Sequence, residues 1–329
     1  MTDIKLPDLG EVFTARQRIA PLTRRTPLIM AEELSEKAGG PVYLKLECLQ
    51  VTGAFKARGA ANKLLSLSDE EKGRGVIAFS TGNHGRAVAA LSRQLGIPAV
   101  VCLSQRVPAY RVSAMRALGA EVIAYGESQD EAYGKALEVQ KERGLTMVAP
   151  FDDPYVLSGQ GTIALEIMEE LPELSQLVVP LSGGGLFAGV AMAAKSIRRS
   201  IKTVGVSMAV APAMIRSLEA GKPVEIPEKD SLADALLGGI GLDNQYTFEL
   251  TKRHIDQTAL VSEEEIAGGM FHCFDQHRLV VEGSGAVGIS AILAGHIKAD
   301  GPLAVVVSGG NVAPELLAEI AANRYRKRN

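Results

Sequence analysis

The stretch Val76-Ile77-Ala78-Phe79-Ser80-Thr81-Gly82-Asn83-His84-Gly85 decides the fold. Its uncharged opening run reads as a strand buried on both faces. The Ser-Thr-Gly-Asn turn then delivers the chain into a helical pattern from about His84 to Leu95. The alternation continues with strand Ala99–Leu103, helix Ala109–Leu118, strand Glu121–Tyr125, helix Asp130–Glu142 and strand Thr146–Val148. Strands and helices alternating through short Gly-containing connections predict a parallel sheet covered by helices on both faces, the α/β class.

Outward from this block the alternation recurs. A strand is predicted over Val42–Leu46. Downstream come helix Gly161–Leu171, strand Leu177–Leu181, a helix opening near Gly184 and strand Thr203–Ser207. Helices Glu263–His277 and Ser284–Ala294 and strand Leu303–Val307 complete a second α/β unit. Gly221–Asp243, rich in Gly, Pro and charge, reads as the longest irregular connection and is expected to rim a site.

A chain of 329 residues that is 47% hydrophobic and 22% charged can bury a sizeable core. A net charge of −3 and a pI near 6.0 give no electrostatic footprint for nucleic acid. The basic run Arg324-Tyr325-Arg326-Lys327-Arg328 reads as a solvated C-terminus. Cys48, Cys102 and Cys273 lack CxxC spacing, so neither a disulfide framework nor a zinc site is suggested, and a reducing cytoplasm is expected. No signal-like apolar core and no membrane-length apolar run occurs, so a soluble, unsecreted protein is expected.

Four segments carry candidate chemistry. In Val51-Thr52-Gly53-Ala54-Phe55-Lys56-Ala57-Arg58-Gly59, one lysine sits among small, apolar and glycine residues. A partly desolvated ammonium has a lowered pKa, and an amine neutral near pH 7 forms a Schiff base with an aldehyde, which makes Lys56 the nucleophile candidate. Pro180-Leu181-Ser182-Gly183-Gly184-Gly185-Leu186 leaves an apolar strand and opens a helix, where free N–H groups and the helix dipole bind phosphate. It is neither a P-loop nor GxGxxG. In Ser80-Thr81-Gly82-Asn83-His84-Gly85, Ser80 and backbone amides suit a carboxylate and Asn83 can donate to a ring oxygen. Ser80 or Thr81 can also serve as an N-cap, with His84 at the helix start. Val305-Val306-Val307-Ser308-Gly309-Gly310-Asn311 places Ser308 at a strand end, where it can meet a pyridine nitrogen or simply occupy a turn.

These motifs, in this order, resemble the threonine dehydratase and serine racemase family, pyridoxal 5′-phosphate enzymes of fold type II. Gly159-Gln160-Gly161-Thr162 and Val281-Glu282-Gly283 extend the likeness over nearly the whole chain. Within the family the chain looks most like the dehydratases of hydroxyectoine utilisation. The resemblance implies two open twisted sheets with flanking helices, similar to the tryptophan synthase β fold. It places the cofactor between a large domain, residues 1–70 and 150–329, and a small one, residues 71–149.

The resemblance further implies that Lys56 holds the cofactor and acts in catalysis with Thr81. Phe55 would pack beside the ring, Asn83 would bond its hydroxyl, and Ser182, Gly183, Gly184, Gly185 and Leu186 would cradle the phosphate. Ser308 would face the pyridine nitrogen, Glu282 would lie near the ring, and Ser80, Thr81 and Gly82 would hold the substrate carboxylate. A small amino-acid substrate and a homodimer are implied, with no nucleic-acid or membrane partner.

The chain also departs from the family pattern. Thr81 stands where the racemase has its second catalytic serine, which counts against racemisation. Val206-Ser207-Met208-Ala209-Val210-Ala211-Pro212-Ala213 has no acidic residue where metal-activated relatives carry carboxylates, so no divalent ion is expected there. No regulatory extension follows Ser308, so no isoleucine feedback is expected. The implied activity is loss of water from a β-hydroxy amino acid to give a 2-oxo acid and ammonia, with racemisation, β-replacement or silent ligand binding as alternatives. Arg106, Tyr110, Arg111, Asp152, Asp153 and Asp234 to Leu237 are candidates for the substrate side-chain pocket.

Overall fold

The computed structural model describes residues 5–80, 82–107 and 109–328. Its strands in chain order are β1 Leu28–Met30, β2 Val42–Lys45, β3 Val76–Phe79, β4 Ala99–Leu103, β5 Glu121–Ala124, β6 Thr146–Met147, β7 Gln176–Pro180, β8 Lys202–Met208, β9 Gln257–Val261 and β10 Leu303–Val306. They form two sheets. One has the order β5-β4-β3-β6, all parallel; the other has the order β1-β2-β10-β7-β8-β9, parallel except for the antiparallel β1–β2 pair.

Burial explains the strand sequences. All of β4, β7 and β10 is buried, as expected for parallel strands with helices on both faces, and none carries a charge. The order β1-β2-β10-β7 brings the Ser308 motif, after β10, between the loop after β2 and the glycine turn after β7. In both sheets the candidate turns leave the carboxyl ends of parallel strands, where α/β sheets place their ligands.

One sequence expectation is corrected. The helix predicted from Gly161 begins at Pro154, because Asp153 caps it by accepting from Tyr155 N and Val156 N at 2.8 and 3.1 Å and proline is pre-set for the first turn. Its internal glycines mark a close helix crossing: a Cβ on Gly159 would lie 2.6 Å from the Arg58 carbonyl oxygen. The basic C-terminal run forms the end of helix Pro314–Arg328, where Arg324 pairs with Glu264 at 3.0 Å. The segment expected to be irregular is so, holding only the short turn Asp234–Leu236 between Gly221 and Asp243.

Candidate active site

A cavity of about 710 Å³ gathers the candidate residues from both sheets. Phe55, Lys56, Ser80, Gly82 and Asn83 line it, as do Ser182 to Leu186, Glu282 and Ser308. Thr81 lies outside the described residues.

Lys56 is the first residue of helix Lys56–Ser66. Its Nζ donates to the Pro150 carbonyl at 2.5 Å and stands 5.2 Å from the centre of the Phe55 ring. Burial pushes its pKa down to about 8. The loop before it is fastened to the Ser308 turn by Phe55 N donating to Ser308 O at 3.0 Å and by an Ala54–Gly309 bridge. Among the described residues the Ser308 hydroxyl makes a long 3.4 Å contact with Ser284 O and no other, so it can rotate toward a ligand.

Asn83 opens helix Asn83–Leu95. Its Nδ2 donates to Glu282 Oε1 at 2.7 Å and its Oδ1 accepts from Asn311 Nδ2 at 2.7 Å. Burial, reinforced by the charge of Asp234, pushes the Glu282 carboxyl up to about 7, against the hydrogen bonds from Asn83 and Asn311 N. The Ser80 or Thr81 cap reading is corrected: Gly82 is the N-cap and makes no side-chain bond, while Ser80 Oγ accepts from Gly82 N at 3.2 Å. His84 is a helix-start residue, as expected, yet its side chain lines the cavity. Its Nε2 lies 2.7 Å from Val148 O, so that nitrogen carries the proton, and burial with the nearby Lys56 charge pushes the imidazole down to about 3.

The glycine turn is shaped from both sides. A Cβ on Gly183 would lie 2.6 Å from the Phe151 ring, and one on Gly184 would lie 2.7 Å from Met214 Cε. Gly184 also has φ +87° and caps helix Gly185–Ile197, whose first N–H groups lack intrahelical acceptors. Ser182 Oγ donates to Leu236 O at 2.9 Å, tying the turn to the irregular rim.

Of the side-chain pocket candidates, Arg111, Asp152 and Asp234 to Leu237 line the cavity. Arg111 pairs with Asp234 across it at 2.7 Å. Asp152 spends its carboxylate on Gln245 N, Tyr246 N and Thr247 N at 2.7–2.9 Å, starting helix Thr247–His254. Two candidates are corrected: Arg106 pairs with Glu127 on the surface, and Asp153 caps its helix and pairs with Lys63, so neither lines the cavity. The Tyr110 side chain lies outside the described residues. Sequence reasoning missed Phe151, Tyr133 and Asn311 as lining residues. Only Asn311 had a signal, its place directly after the Ser-Gly-Gly turn.

A family model described as pyridoxal-phosphate dependent enzyme matches residues 19–309. The chain belongs to this family of pyridoxal-phosphate dependent enzymes. It is 45% identical to a putative threonine dehydratase of Sinorhizobium fredii, covering 97% of each chain. It is 42% identical to an L-threonine ammonia-lyase of Thermotoga maritima, over 95% of this chain and 77% of that one. The structure of maize serine racemase superposes with a TM-score of 0.90 at 33% identity, covering 98% of this chain and 99% of that one.

The residues present fit the family's cofactor. The desolvated Lys56 amine can bond an aldehyde, and the glycine turn offers backbone N–H groups with no side chain in the way. An alanine at 184 would combine a left-handed backbone with a methyl 2.7 Å from Met214 Cε. Gly184→Ala is therefore expected to raise the dissociation constant for pyridoxal phosphate about tenfold or more, a loss of about 1.4 kcal/mol. Titration of apo-protein checks this, and an unchanged constant would show that the turn does not hold the phosphate.

Proposed function

We propose that this protein is a dehydratase that converts a β-hydroxy amino acid to a 2-oxo acid and ammonia. The observation that carries the reading is the Lys56 amine, lowered to about 8 by burial, facing a cavity that also presents Asn83, Ser308 and the glycine turn. The names of the relatives in Sinorhizobium fredii and Thermotoga maritima support it.

When bound, pyridoxal phosphate supplies an electron sink for the bond broken at Cα. Lys56 anchors the cofactor, and its neutral amine takes the α-proton of the substrate. Gly183 to Leu186, with Ser182, would hold the phosphate through the backbone N–H groups of the turn. Asn83, whose Nδ2 also donates to Glu282, would donate to the ring oxygen, Phe55 would pack beside the ring and Ser308 would serve the ring nitrogen. Ser80, Thr81 and Gly82 would hold the substrate carboxylate. Loss of the β-hydroxyl as water leaves an enamine, which tautomerises to an imine. Water then releases ammonia and the 2-oxo acid.

Residues 1–70 and 150–329, which supply the six-stranded sheet, form the large domain of this reading; residues 71–149, which supply the four-stranded sheet, form the small one. The free cysteines are all buried, in keeping with a cytoplasmic enzyme. A homodimer is the working assembly. Threonine, serine, 3-hydroxyaspartate and a hydroxyectoine-derived hydroxy amino acid are the substrates to compare, because Arg111 and Asp234 offer both charges at the rim. Assaying 2-oxo acid and ammonia with each compound tests the reading. One productive substrate is expected. The likeness to maize serine racemase favours racemisation as the second reading, which exchange of the α-proton without 2-oxo acid would select.

A further inference from the structure

We propose that Asn311 is a positioning residue that fixes which edge of the Asn83 amide faces the cofactor ring and ties it to the loop carrying Lys56. This rests on the reading of Asn83 as the partner of the ring oxygen.

The Asn311 side chain has no rotational choice. Its Nδ2 donates to Thr52 O at 2.9 Å and to Asn83 Oδ1 at 2.7 Å, and its backbone N donates to Glu282 Oε2 at 3.1 Å. The Thr52 carbonyl only accepts, so the Asn311 amide must present nitrogen there. With both Asn311 N–H groups committed, Asn83 must present Oδ1 to Asn311 and Nδ2 to Glu282 Oε1, 2.7 Å away. The second Asn83 N–H is the one left for a ligand in the cavity that Asn83 lines. Thr52 lies four residues before Lys56, so the same side chain sets the nucleophile's loop against the start of helix Asn83–Leu95.

Glu282 alone does not secure this orientation. A carboxylate accepts only and holds Asn83 Nδ2 toward it. A carboxyl group can donate, and then tolerates an Asn83 amide turned by 180°. The groups around Glu282 are the Asp234 carboxylate from the rim, the Arg111 guanidinium from helix Ala109–Ala117, the Cys48 thiol, and the Asn83 and Asn311 amides. Burial and Asp234 outweigh Arg111 and bring the carboxyl to about 7, so both forms are populated near neutrality. A turned Asn83 would set its Nδ2 against Asn311 Nδ2, donor against donor. Asn311 thus holds Asn83 in place whichever form Glu282 takes.

The test is the dissociation constant of pyridoxal phosphate, titrated into apo-protein between pH 6 and 9 and expressed as the ratio of variant to wild type. For Asn311→Ala, a ratio of about ten is expected at pH 6, falling toward one above pH 8 with a midpoint near 7. For Asn311→Asp, of the same volume, the new carboxylate opposes Thr52 O and Asn83 Oδ1, and the ratio is expected to be about ten at every pH. Thermal unfolding confirms that each apo-protein is folded. A flat ratio for Asn311→Ala, with affinity lowered by Asn83→Ala, overturns the proposal and leaves the Asn83 reading standing. An affinity unmoved by Asn83→Ala overturns both.

Discussion

Lys56→Ala is expected to lower turnover by about 10⁴-fold, the upper end of what a positioned base contributes, and to abolish the visible absorbance of lysine-bound cofactor. The protein should fold normally. Among the described residues Lys56 makes one polar contact, to the Pro150 carbonyl, and burial makes its ammonium costly to keep, so removing it should leave the melting temperature unchanged or raised. The pH dependence separates this cause from a structural one. With its pKa lowered to about 8, Lys56 is mainly ammonium at pH 6 and mainly amine at pH 9, so wild-type uptake of cofactor should accelerate across that interval with a midpoint near 8. Stopped-flow absorbance checks the midpoint. A rate that is flat over the interval, or a Lys56→Ala protein that still forms the absorbing species, would remove Lys56 from the chemistry.

Legibility in the sequence followed the range of the interactions. Strands β3 and β4 were readable to the residue because parallel strands buried on both faces are contiguous apolar runs bounded by turns. Lys56 and the glycine turns were readable for a related reason: glycine and an isolated lysine in apolar company are unusual locally. Strand β9 was not, because Gln257-Thr258-Ala259-Leu260-Val261 is an edge strand with its first residues exposed. Helix Thr247–His254 was not, because its start is satisfied by Asp152, about a hundred residues away in the chain. The roles of Asn311 were hidden in the same way, since its partners Thr52 and Asn83 lie 259 and 228 positions away. The misreading of Ser80 as a helix cap has a local cause. Its hydroxyl does accept a backbone N–H, but that of the N-cap Gly82 itself rather than one inside the first turn of the helix.

Arg58→Met is expected to destabilise the protein by about 3–5 kcal/mol, the usual cost of breaking a buried ion pair by removing one partner. Arg58 lies two residues beyond Lys56 and is 1% exposed. Its guanidinium donates to both Glu47 oxygens at 2.8 Å and to the Glu166 carboxylate at 2.6 and 2.9 Å. Lys45, fully buried, completes the set by donating to Glu166 Oε2 and Thr26 O at 2.6 Å. Two cations and two carboxylates cancel, and removal of Arg58 leaves a buried excess of negative charge with one ammonium to answer it. Burial alone would raise the Glu166 carboxyl, but the hydrogen bond and charge of Arg58, then those of Lys45, hold it below its ordinary value. A depressed carboxyl contributes stability that is present above its unfolded pKa and lost as pH falls through the folded one. In Arg58→Met most of that depression disappears, so the gap between variant and wild type should narrow as the pH is lowered from 8 toward 4. Restoring neutrality with Glu47→Gln should recover part of the loss at pH 8, because Lys45 and Glu166 then remain as a matched pair. Urea unfolding at both pH values reads all three expectations, and a loss below about 1 kcal/mol, or one independent of pH, would contradict them. The network also reaches the active site. It locks helix Lys56–Ser66 onto helix Pro154–Glu170 where Gly59 and Gly159 let their backbones meet, so the same charges that stabilise the fold fix the helix from which Lys56 enters the cavity.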